Sequence, residues 1–276
     1  MSAAPVKSEP QFLDTLPKIR IYIEGEKIDV SALNLDQTSR YLVRRQNEHV
    51  SNWIVTLNWE MVSRAFLNKN YRNELARATL FVPDGAPVVW WMRFLNQNKN
   101  LHPERVAGVD LILSILNRIA GTSLRIGIIG GRELSQSLKR LNFPLEQAGF
   151  LWDGPVYDRD DAQVKLFAQE VTKNALDFVF LALPSTKQTW LGPRLLELCP
   201  HITIVGVGGT FDYLGNRKRR APLILQRLHL EWFWRLTTEP RTASRYLLLY
   251  PLGCFLLCVS WLKNKLGLRR ALKSLK

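Results

Sequence analysis

The sequence predicts an α/β fold: a mainly parallel, Rossmann-like sheet with helices on both faces, followed by a basic, apolar helical appendage. Two observations support this prediction. Short apolar runs that end at Gly, Pro or Asn alternate with helical patterns, which is the spacing of βαβ units. Positive charge and a long apolar run are concentrated after residue 216. We therefore expect a disordered leader over 1–18, an α/β body over 19–222 and an appendage over 223–276.

The individual elements follow from local patterns. Alternation around Glu24–Gly25 predicts a β-hairpin, and helical patterns are expected at 31–48, 59–68, 86–95 and 133–141. Apolar runs predict strands at 51–57, 78–82, 125–129, 176–183 and 202–207. Parallel sheets bind ligands at the carboxyl ends of their strands. One cleft should therefore gather the residues after those ends: Thr56, Asn58, Asp84, Gly85, Gly130, Gly131, Lys187, Gln188, Gly208, Gly209 and Asp212.

Charge is unevenly distributed along the 276 residues. The net charge is +14, and fourteen Lys and Arg against two acids lie in residues 217–276. A localised basic region of this kind indicates a polyanion or an anionic membrane surface. Nucleic acid is not expected as a partner, because the segment lacks an aromatic and basic stacking platform.

The apolar run Tyr246–Leu262 contains no charged residue in seventeen. It is at the short limit for crossing a bilayer, and Pro251 and Gly253 are expected to interrupt it. Shallow membrane association is the favoured interpretation, and a buried core or oligomer helix and a true span are the alternatives. Cys199, Cys254 and Cys258 form no CxxC pair, which predicts reduced, buried thiols in a cytosolic protein.

Asp84 lies between an apolar strand and a helix, with apolar neighbours on both sides. An aspartate at such a junction often caps the helix that follows. A carboxylate partly desolvated in a cleft would instead have a raised pKa, which suits a general base. The local pattern leaves both roles open.

Two further motifs are weak. The spacing Gly127–Gly131 is GxxGG rather than GxGxxG, so a nicotinamide or flavin site is not favoured. The DxD pattern of Asp158 and Asp160 fits a solvated turn or helix start better than a Mg or Mn site. We therefore expect no cofactor and a reaction that does not depend on a metal.

Six segments occur in an order that is more informative than any one of them: TLN at 56–58, PDG at 83–85, ERVAGVDL at 104–111, GVGGTFD at 206–212, KRRAP at 218–222, and LEWFWRL with EPR and RYL at 230–247. This series resembles the WecG/TagA/CpsF glycosyltransferases over roughly residues 20–248. The sequence departs from the family pattern after Gly85, where Ala-Pro-Val-Val follows, and at Thr189, where the family carries an acid.

The resemblance implies an inverting transfer of a sugar from a UDP-sugar to a polyprenyl-diphosphate-linked acceptor in cell-surface polysaccharide biosynthesis. It places the protein peripherally at the cytoplasmic face of the inner membrane. It implies Asp84 as the catalytic base and Tyr157 stacking on uracil. The other substrate-binding residues it implies are Thr56, Asn58, Arg105, Gln188, Gly208, Gly209 and Asp212, with Arg235, Arg241 and Arg245 from the appendage near the diphosphate.

Other functions stay open at this stage. The same cleft could belong to a non-catalytic, membrane-associated module that binds a nucleotide-sugar. A nicotinamide oxidoreductase is the third class, and a homo-oligomer is left open.

Overall fold

The computed structural model describes residues 16–227, 230–238 and 245–274. Within these residues, eight strands form one sheet in the order β1-β2-β4-β3-β8-β7-β5-β6. Only the β1–β2 hairpin is antiparallel in this described sheet, so the predicted α/β class is confirmed. The strands are β1 (Lys18–Ile23), β2 (Glu26–Ser31), β3 (Asn52–Leu57), β4 (Leu80–Pro83), β5 (Ile126–Gly130), β6 (Ala148–Trp152), β7 (Phe178–Ala182) and β8 (Thr203–Gly206).

Helices cover both faces of the sheet. They are α1 (Leu35–Asn47), α2 (Trp59–Leu67), α3 (Lys69–Leu75), α4 (Ala86–Leu95), α5 (Gly108–Ile119), α6 (Leu134–Arg140), α7 (Asp161–Lys173), α8 (Ser185–Leu198), α9 (Thr210–Leu214), α10 (Leu223–Arg227), α11 (Glu231–Thr238) and α12 (Tyr250–Ser274). Two hydrophobic cores result. Residues of α2, α3, α4, α7, α8 and α12 pack on one face, and residues of α1, α5, α6 and α9 pack on the other.

The strand β3 shows why the chain folds in layers. All six of its residues are buried. Trp53 and Val55 join one core, and Ile54 between them joins the other. A strand covered on both faces reads as a continuous apolar run, because successive side chains point to opposite faces.

Two predicted boundaries differ from the structure. The first helix begins at Leu35 rather than at residue 31, because Asn34 caps it by accepting a hydrogen bond from the Gln37 backbone N–H. The described fold starts before residue 19: Leu16 is buried, and the Pro17 carbonyl accepts a hydrogen bond from Ala32 N at 2.8 Å. Most of the predicted leader, residues 1–15, lies outside the described residues.

The apolar run of the appendage folds as a π-helical turn, Arg245–Leu249, followed by the continuous helix α12. The prediction that Pro251 and Gly253 interrupt the apolar run is wrong, because α12 continues through both residues. Pro251 lies in the first turn of α12, where a missing N–H leaves no bond unmade. Gly253 packs directly on α2, since a Cβ there would collide with Ser63 Oγ and lie 3.0 Å from Trp59 Nε1.

The helix α12 is docked on the body by polar and apolar contacts. Ser63 Oγ donates to the Leu249 carbonyl at 2.7 Å, and Ser260 Oγ donates to the Tyr22 carbonyl at 3.2 Å. Leu257 is buried in the core, whereas Cys254 and Cys258 are exposed, which contradicts the predicted burial of these two thiols. None of the helices in the described part of the chain combines the length and apolarity that crossing a membrane requires.

Candidate active site

A cavity of about 400 Å³ opens at the carboxyl edge of the sheet. It lies above the junction of β3 and β8, where Thr56 Oγ1 donates to the Gly206 carbonyl at 2.8 Å. The first turns of α2, α4 and α8 form its walls, and α11 of the appendage closes one side. The predicted site residues that line it are Thr56, Asn58, Asp84, Arg105, Gln188, Gly208, Gly209, Asp212 and Arg235.

Asp84 follows β4 and faces the cavity without capping a helix. The N-cap of α4 is Gly85, whose φ is +95°, and no side-chain hydrogen bond caps this helix. The alternative of a capping aspartate is therefore wrong. The backbone of Asp84 is fixed by its N–H, which donates to the Leu57 carbonyl at 2.8 Å.

The Asp84 carboxyl is largely enclosed by protein, with 27% of its side chain exposed through the cavity mouth. Burial raises its pKa above the ordinary value, because the charged form loses hydration. Arg105 and Arg235 oppose this effect by stabilising the carboxylate, and Glu231 adds to it. A carboxylate with a raised pKa beside a cavity is suited to accept a proton from a bound hydroxyl.

Arg105 stands between two carboxylates. Its Nε lies 3.7 Å from Asp84 Oδ1, and its Nη2 donates to Glu231 Oε2 on α11. Glu231 also faces Arg220, whose Nε lies 3.4 Å from Glu231 Oε1. Arg220 in turn donates twice to Asp110, at 2.7 Å for each bond. Negative and positive side chains thus alternate from Asp84 to Asp110 and join the appendage to the body.

Three polar side chains lie on the sheet side of the cavity. Asn58 caps α2, since its Oδ1 accepts from Met61 N at 3.0 Å, and its amide nitrogen is the group that can donate to a ligand. Thr56 is buried and already donates to β8. Gln188 is 3% exposed, and its Oε1 has no hydrogen-bond partner in the protein. This oxygen packs beside Gly206, and an unpaired acceptor so close to the cavity calls for a donor from water or from a ligand.

The opposite wall is basic and aromatic. Lys218 Nζ lies 4.0 Å from Asp212 Oδ2, and the Arg235 guanidinium lies 5.3 Å from the centre of the Tyr213 ring. Gly208 has a φ of +56° and open space where a Cβ would be, so a ligand can approach the backbone there. This wall combines cations with a flat ring, as an anionic nucleotide requires.

Several predicted residues do not line the cavity. Tyr157 is 59% exposed on a separate loop, and Lys187 donates to the Val156 carbonyl instead. The expectation that Gly130 and Gly131 join the cleft is wrong, because this turn packs against protein. A Cβ at Gly130 would lie 2.6 Å from the Ala182 carbonyl oxygen, and one at Gly131 would lie 3.3 Å from Phe211 Cβ.

The remaining predictions concern the appendage and the DxD pattern. Arg241 and the side chain of Arg245 lie outside the described residues. Asp160 caps α7 by accepting from Ala162 N at 2.9 Å, and Asp158 lies 4.0 Å from Lys187 Nζ. Across residues 16–227, 230–238 and 245–274, no three His, Cys, Asp or Glu side chains are grouped to hold a metal ion.

Sequence reasoning missed several cavity residues. Glu231 is the most consequential, and a signal for it existed: it is one of two acids in the basic segment 217–276. Glu60 follows Asn58 by two residues and faces the cavity from the first turn of α2. Other lining residues that were not singled out for binding include Ser185, Tyr213, Trp232, Trp234 and Tyr250.

A parallel α/β sheet with a carboxylate among arginines at its carboxyl edge is the arrangement expected of an enzyme acting on an anionic substrate. The chain belongs to the glycosyl transferase WecG/TagA/CpsF family, whose family model matches residues 23–267. The resemblance predicted from the six segments is thereby confirmed. The matched range includes most of α12.

Two curated relatives carry the same name, N-acetylglucosaminyldiphosphoundecaprenol N-acetyl-β-D-mannosaminyltransferase. The protein from Bacillus spizizenii is 32% identical over 200 residues, which cover 71% of this chain and 74% of the relative. The protein from Bacillus subtilis is 30% identical over 199 residues, which cover 70% of this chain and 74% of the relative. This protein is thus similar over most of its length to transferases that, by name, act on a diphosphoundecaprenol-linked sugar.

Proposed function

We propose that this protein is an inverting glycosyltransferase that moves a sugar from a UDP-sugar to a polyprenyl-diphosphate-linked acceptor in cell-surface polysaccharide biosynthesis. The observation that supports it is the Asp84 carboxylate, which caps no helix and lies beside Arg105 in the cavity. The names of the two relatives support an acceptor that ends in a sugar on diphosphoundecaprenol. A direct displacement needs one base, and Asp84 is the cavity carboxylate whose pKa is raised by burial.

In the proposed step, the acceptor hydroxyl oxygen attacks the anomeric carbon of the donor sugar and passes its proton to Asp84. The bond between that carbon and the β-phosphate oxygen breaks, and its electron pair leaves with UDP. Lys218 and Arg235 would meet the growing charge of the leaving group, which replaces a metal ion by fixed cations. Base catalysis of this kind contributes roughly a hundredfold to ten-thousandfold.

The donor site is proposed on the basic wall. Asp212 would accept a hydrogen bond from the nucleoside, and the backbone at Gly208 and Gly209 leaves room for it. Gln188 would accept from a sugar N–H or O–H, which gives its orphaned oxygen a partner. The role of Tyr157 in stacking on uracil stays a prediction that rests on the family resemblance.

Peripheral attachment to the cytoplasmic face of the inner membrane is part of the proposal. Exposed apolar side chains lie on α4 and α12, among them Trp90, Phe94 and Phe255. The two helices meet where the Phe94 and Trp261 rings lie 5.3 Å apart. Lys263 and Lys265 follow on α12. Apolar surface next to cations is the combination that binds anionic bilayers.

Sedimentation with vesicles tests this attachment. The protein should bind vesicles that contain anionic lipid and be released as ionic strength rises, because the charge contribution is screened. The double variant Lys263→Gln/Lys265→Gln should bind more weakly. Lys139→Gln/Lys165→Gln carries the same charge change at exposed positions of α6 and α7, outside the α2 and β1 surfaces on which α12 packs, and is the matched control. Equal loss in both variants would contradict a specific role for α12.

UDP release tests the reaction itself. We would measure it with a panel of UDP-sugars and a short-chain polyprenyl-diphosphate sugar acceptor, with and without EDTA. Wild type should release UDP only when acceptor is present, and EDTA should not change the rate. Asp84→Asn should lose activity at least a hundredfold while binding UDP normally by calorimetry. Asp36→Asn, an exposed acid on α1, is the control.

The alternatives give different results. Inhibition by EDTA that Asp158→Asn reproduces would move the mechanism to a metal at the DxD turn. UDP binding without turnover on any donor and acceptor would favour the nucleotide-sugar-binding module. Cofactor-dependent absorbance changes with a nicotinamide dinucleotide would favour the oxidoreductase.

A further inference from the structure

The contact between Arg105 and Asp84 is incomplete. Arg105 Nε lies 3.7 Å from Asp84 Oδ1, beyond hydrogen-bond distance, and this buried nitrogen has no hydrogen-bond partner in the protein. A guanidinium normally pairs with a neighbouring carboxylate through short, paired bonds. Something therefore holds the guanidinium of Arg105 away from the full ion pair.

Glu231 is the residue that holds it. Its carboxylate accepts from Arg105 Nη2, and its side chain is 13% exposed. Arg220 supports Glu231 from the other side at 3.4 Å and is itself fixed by two bonds to Asp110. The other charged groups around Asp84 are Glu60 of α2, Asp110 of α5, Asp212 of α9, Lys218 and Arg220 before α10, and Arg235 of α11.

We propose that Glu231, on the appendage, is a positioning residue for the catalytic base. By accepting from Arg105 it keeps that guanidinium from pairing fully with Asp84, and the Asp84 carboxylate stays available to the acceptor hydroxyl. The inference rests on the proposed function, in which Asp84 is the base. It gives the appendage a role in the chemical step that is separate from binding the diphosphate.

The charge of Glu231 acts in the same direction as its geometry. Burial raises the pKa of Asp84, Arg105 lowers it, and Glu231 raises it. Without the Glu231 carboxylate, Arg105 would pair fully with Asp84 and stabilise the Asp84 carboxylate. A more stable carboxylate is a weaker base, since base strength follows pKa.

The pH dependence of kcat/KM tests the inference, because its acidic limb reports the base of the free enzyme. In Glu231→Gln the acidic limb should move to lower pH by about one unit. The maximal rate should fall by roughly tenfold, less than in Asp84→Asn. Glu231→Asp keeps the charge and should restore the limb to its wild-type position.

Two further variants separate positioning from mere attachment of α11. Trp234→Phe removes the bond from Trp234 Nε1 to the Arg219 carbonyl at 3.1 Å and changes no charge. If Glu231 stays on Arg105 in this variant, the limb should not move, so a limb that moves in Glu231→Gln alone reports the carboxylate and not the loss of one contact of α11. In Arg220→Gln, Arg105 is the remaining arginine that pairs with Glu231. The acidic limb should then move to higher pH, in the direction opposite to Glu231→Gln.

The outcomes are distinguishable. If Asp84→Asn keeps its activity, the proposed base is wrong whatever Glu231 does. If Asp84→Asn is inactive but the limb of Glu231→Gln stays in place or moves to higher pH, the role of Glu231 is overturned and the proposed function stands. If Glu231→Gln does not fold, Arg220→Gln and Lys218→Gln decide together: each removes one cation from the cavity lining, but Arg220 contacts Glu231 and Lys218 contacts Asp212, so a larger shift in Arg220→Gln supports the role of Glu231 and equal shifts overturn it.

Discussion

The indole Nε1 of Trp59 donates a hydrogen bond to the carbonyl oxygen of Tyr250 across 3.0 Å. Trp59 is the first residue of α2 and directly follows Asn58 in the cavity wall, and Tyr250 is the first residue of α12. One short contact therefore joins the cavity to the apolar helix of the appendage. The catalytic body and the proposed membrane surface meet at α2.

The close packing of α12 on α2 depends on the absence of a side chain at Gly253. In Gly253→Val we expect α12 to leave α2, because a Cβ would collide with Ser63 Oγ. Loss of the bonds from Trp59 and Ser63 should cost about 1 kcal/mol each. Thermal unfolding and limited proteolysis of α12 would measure this. Cys258→Val, at an exposed position of the same helix, should change neither readout.

We expect the charged form of Asp84 to lower the free energy of unfolding at neutral pH, although the proposed reaction requires this residue. Because burial raises its pKa, the folded state binds this proton more tightly than the unfolded state, whose pKa is about 3.9. Stability is therefore lost as pH rises from that value through the folded pKa. Asp84→Asn should be inactive yet unfold at a higher temperature at neutral pH, with about 2–4 °C in Tm for each kcal/mol gained.

The same measurement near pH 4 is the internal control. There Asp84 is protonated to a larger extent in the folded protein than at neutral pH, because its pKa is raised, so the two proteins should differ less in Tm. A stabilisation by Asp84→Asn that is equal at both pH values would show that charge is not its cause.

We expect Gln188 to contribute to ligand binding and not to the stability of the fold. In Gln188→Met the orphaned Oε1 disappears, so the free energy of unfolding should stay the same or rise by about 1 kcal/mol. The KM for one of the two substrates should rise roughly tenfold, the equivalent of about 1.4 kcal/mol of lost binding. Steady-state kinetics with each substrate varied in turn would identify which one.

Gln147→Met is the matched comparison. Gln147 is also buried, but its Oε1 accepts from Gly121 N, and its Nε2 lies within hydrogen-bond distance of the carbonyls of Ile119, Thr122 and Leu124. Its replacement should destabilise the protein by at least about 2 kcal/mol. Equal destabilisation at both positions would mean that Gln188 has a partner in solution.

Gly85 permits the backbone turn that presents Asp84. Its φ of +95° is strained for any residue with a side chain, so Gly85→Ala should lose about 1–2 kcal/mol of stability and also lower kcat. Gly25→Ala, in the hairpin turn at φ +89°, should lose similar stability with normal kcat. Normal kcat in Gly85→Ala would contradict a fixed position for the base.

Much of the candidate site was predictable because strand ends in a parallel sheet share an edge. Thr56 lies at the end of a recognisable apolar run, and Asn58 and Asp84 each follow one, so their convergence needed no knowledge of strand order. The glycine turn after β5 failed this logic for a physical reason. In the sheet, β7 separates β5 from β8. Gly131, in the turn after β5, therefore packs on Phe211 of α9 instead of facing a ligand.

The contribution of the appendage could not be predicted from local pattern. The side chain of Glu231 meets Arg105, which is 126 residues earlier in the chain, and only the folded chain brings the two together. The strand β6 was also missed. It lies at the sheet edge, is half-buried throughout, and its sequence AGFLW lacks the β-branched residues that indicate a strand.

Asn58 and Ser63 lie five residues apart on α2, about 7.5 Å along its axis. The first faces the cavity, and the second holds the turn before α12. Any substrate that binds more tightly to the form with α12 docked must strengthen that docking by the same free energy, so the docking of α12 and the binding of the substrate each report on the other.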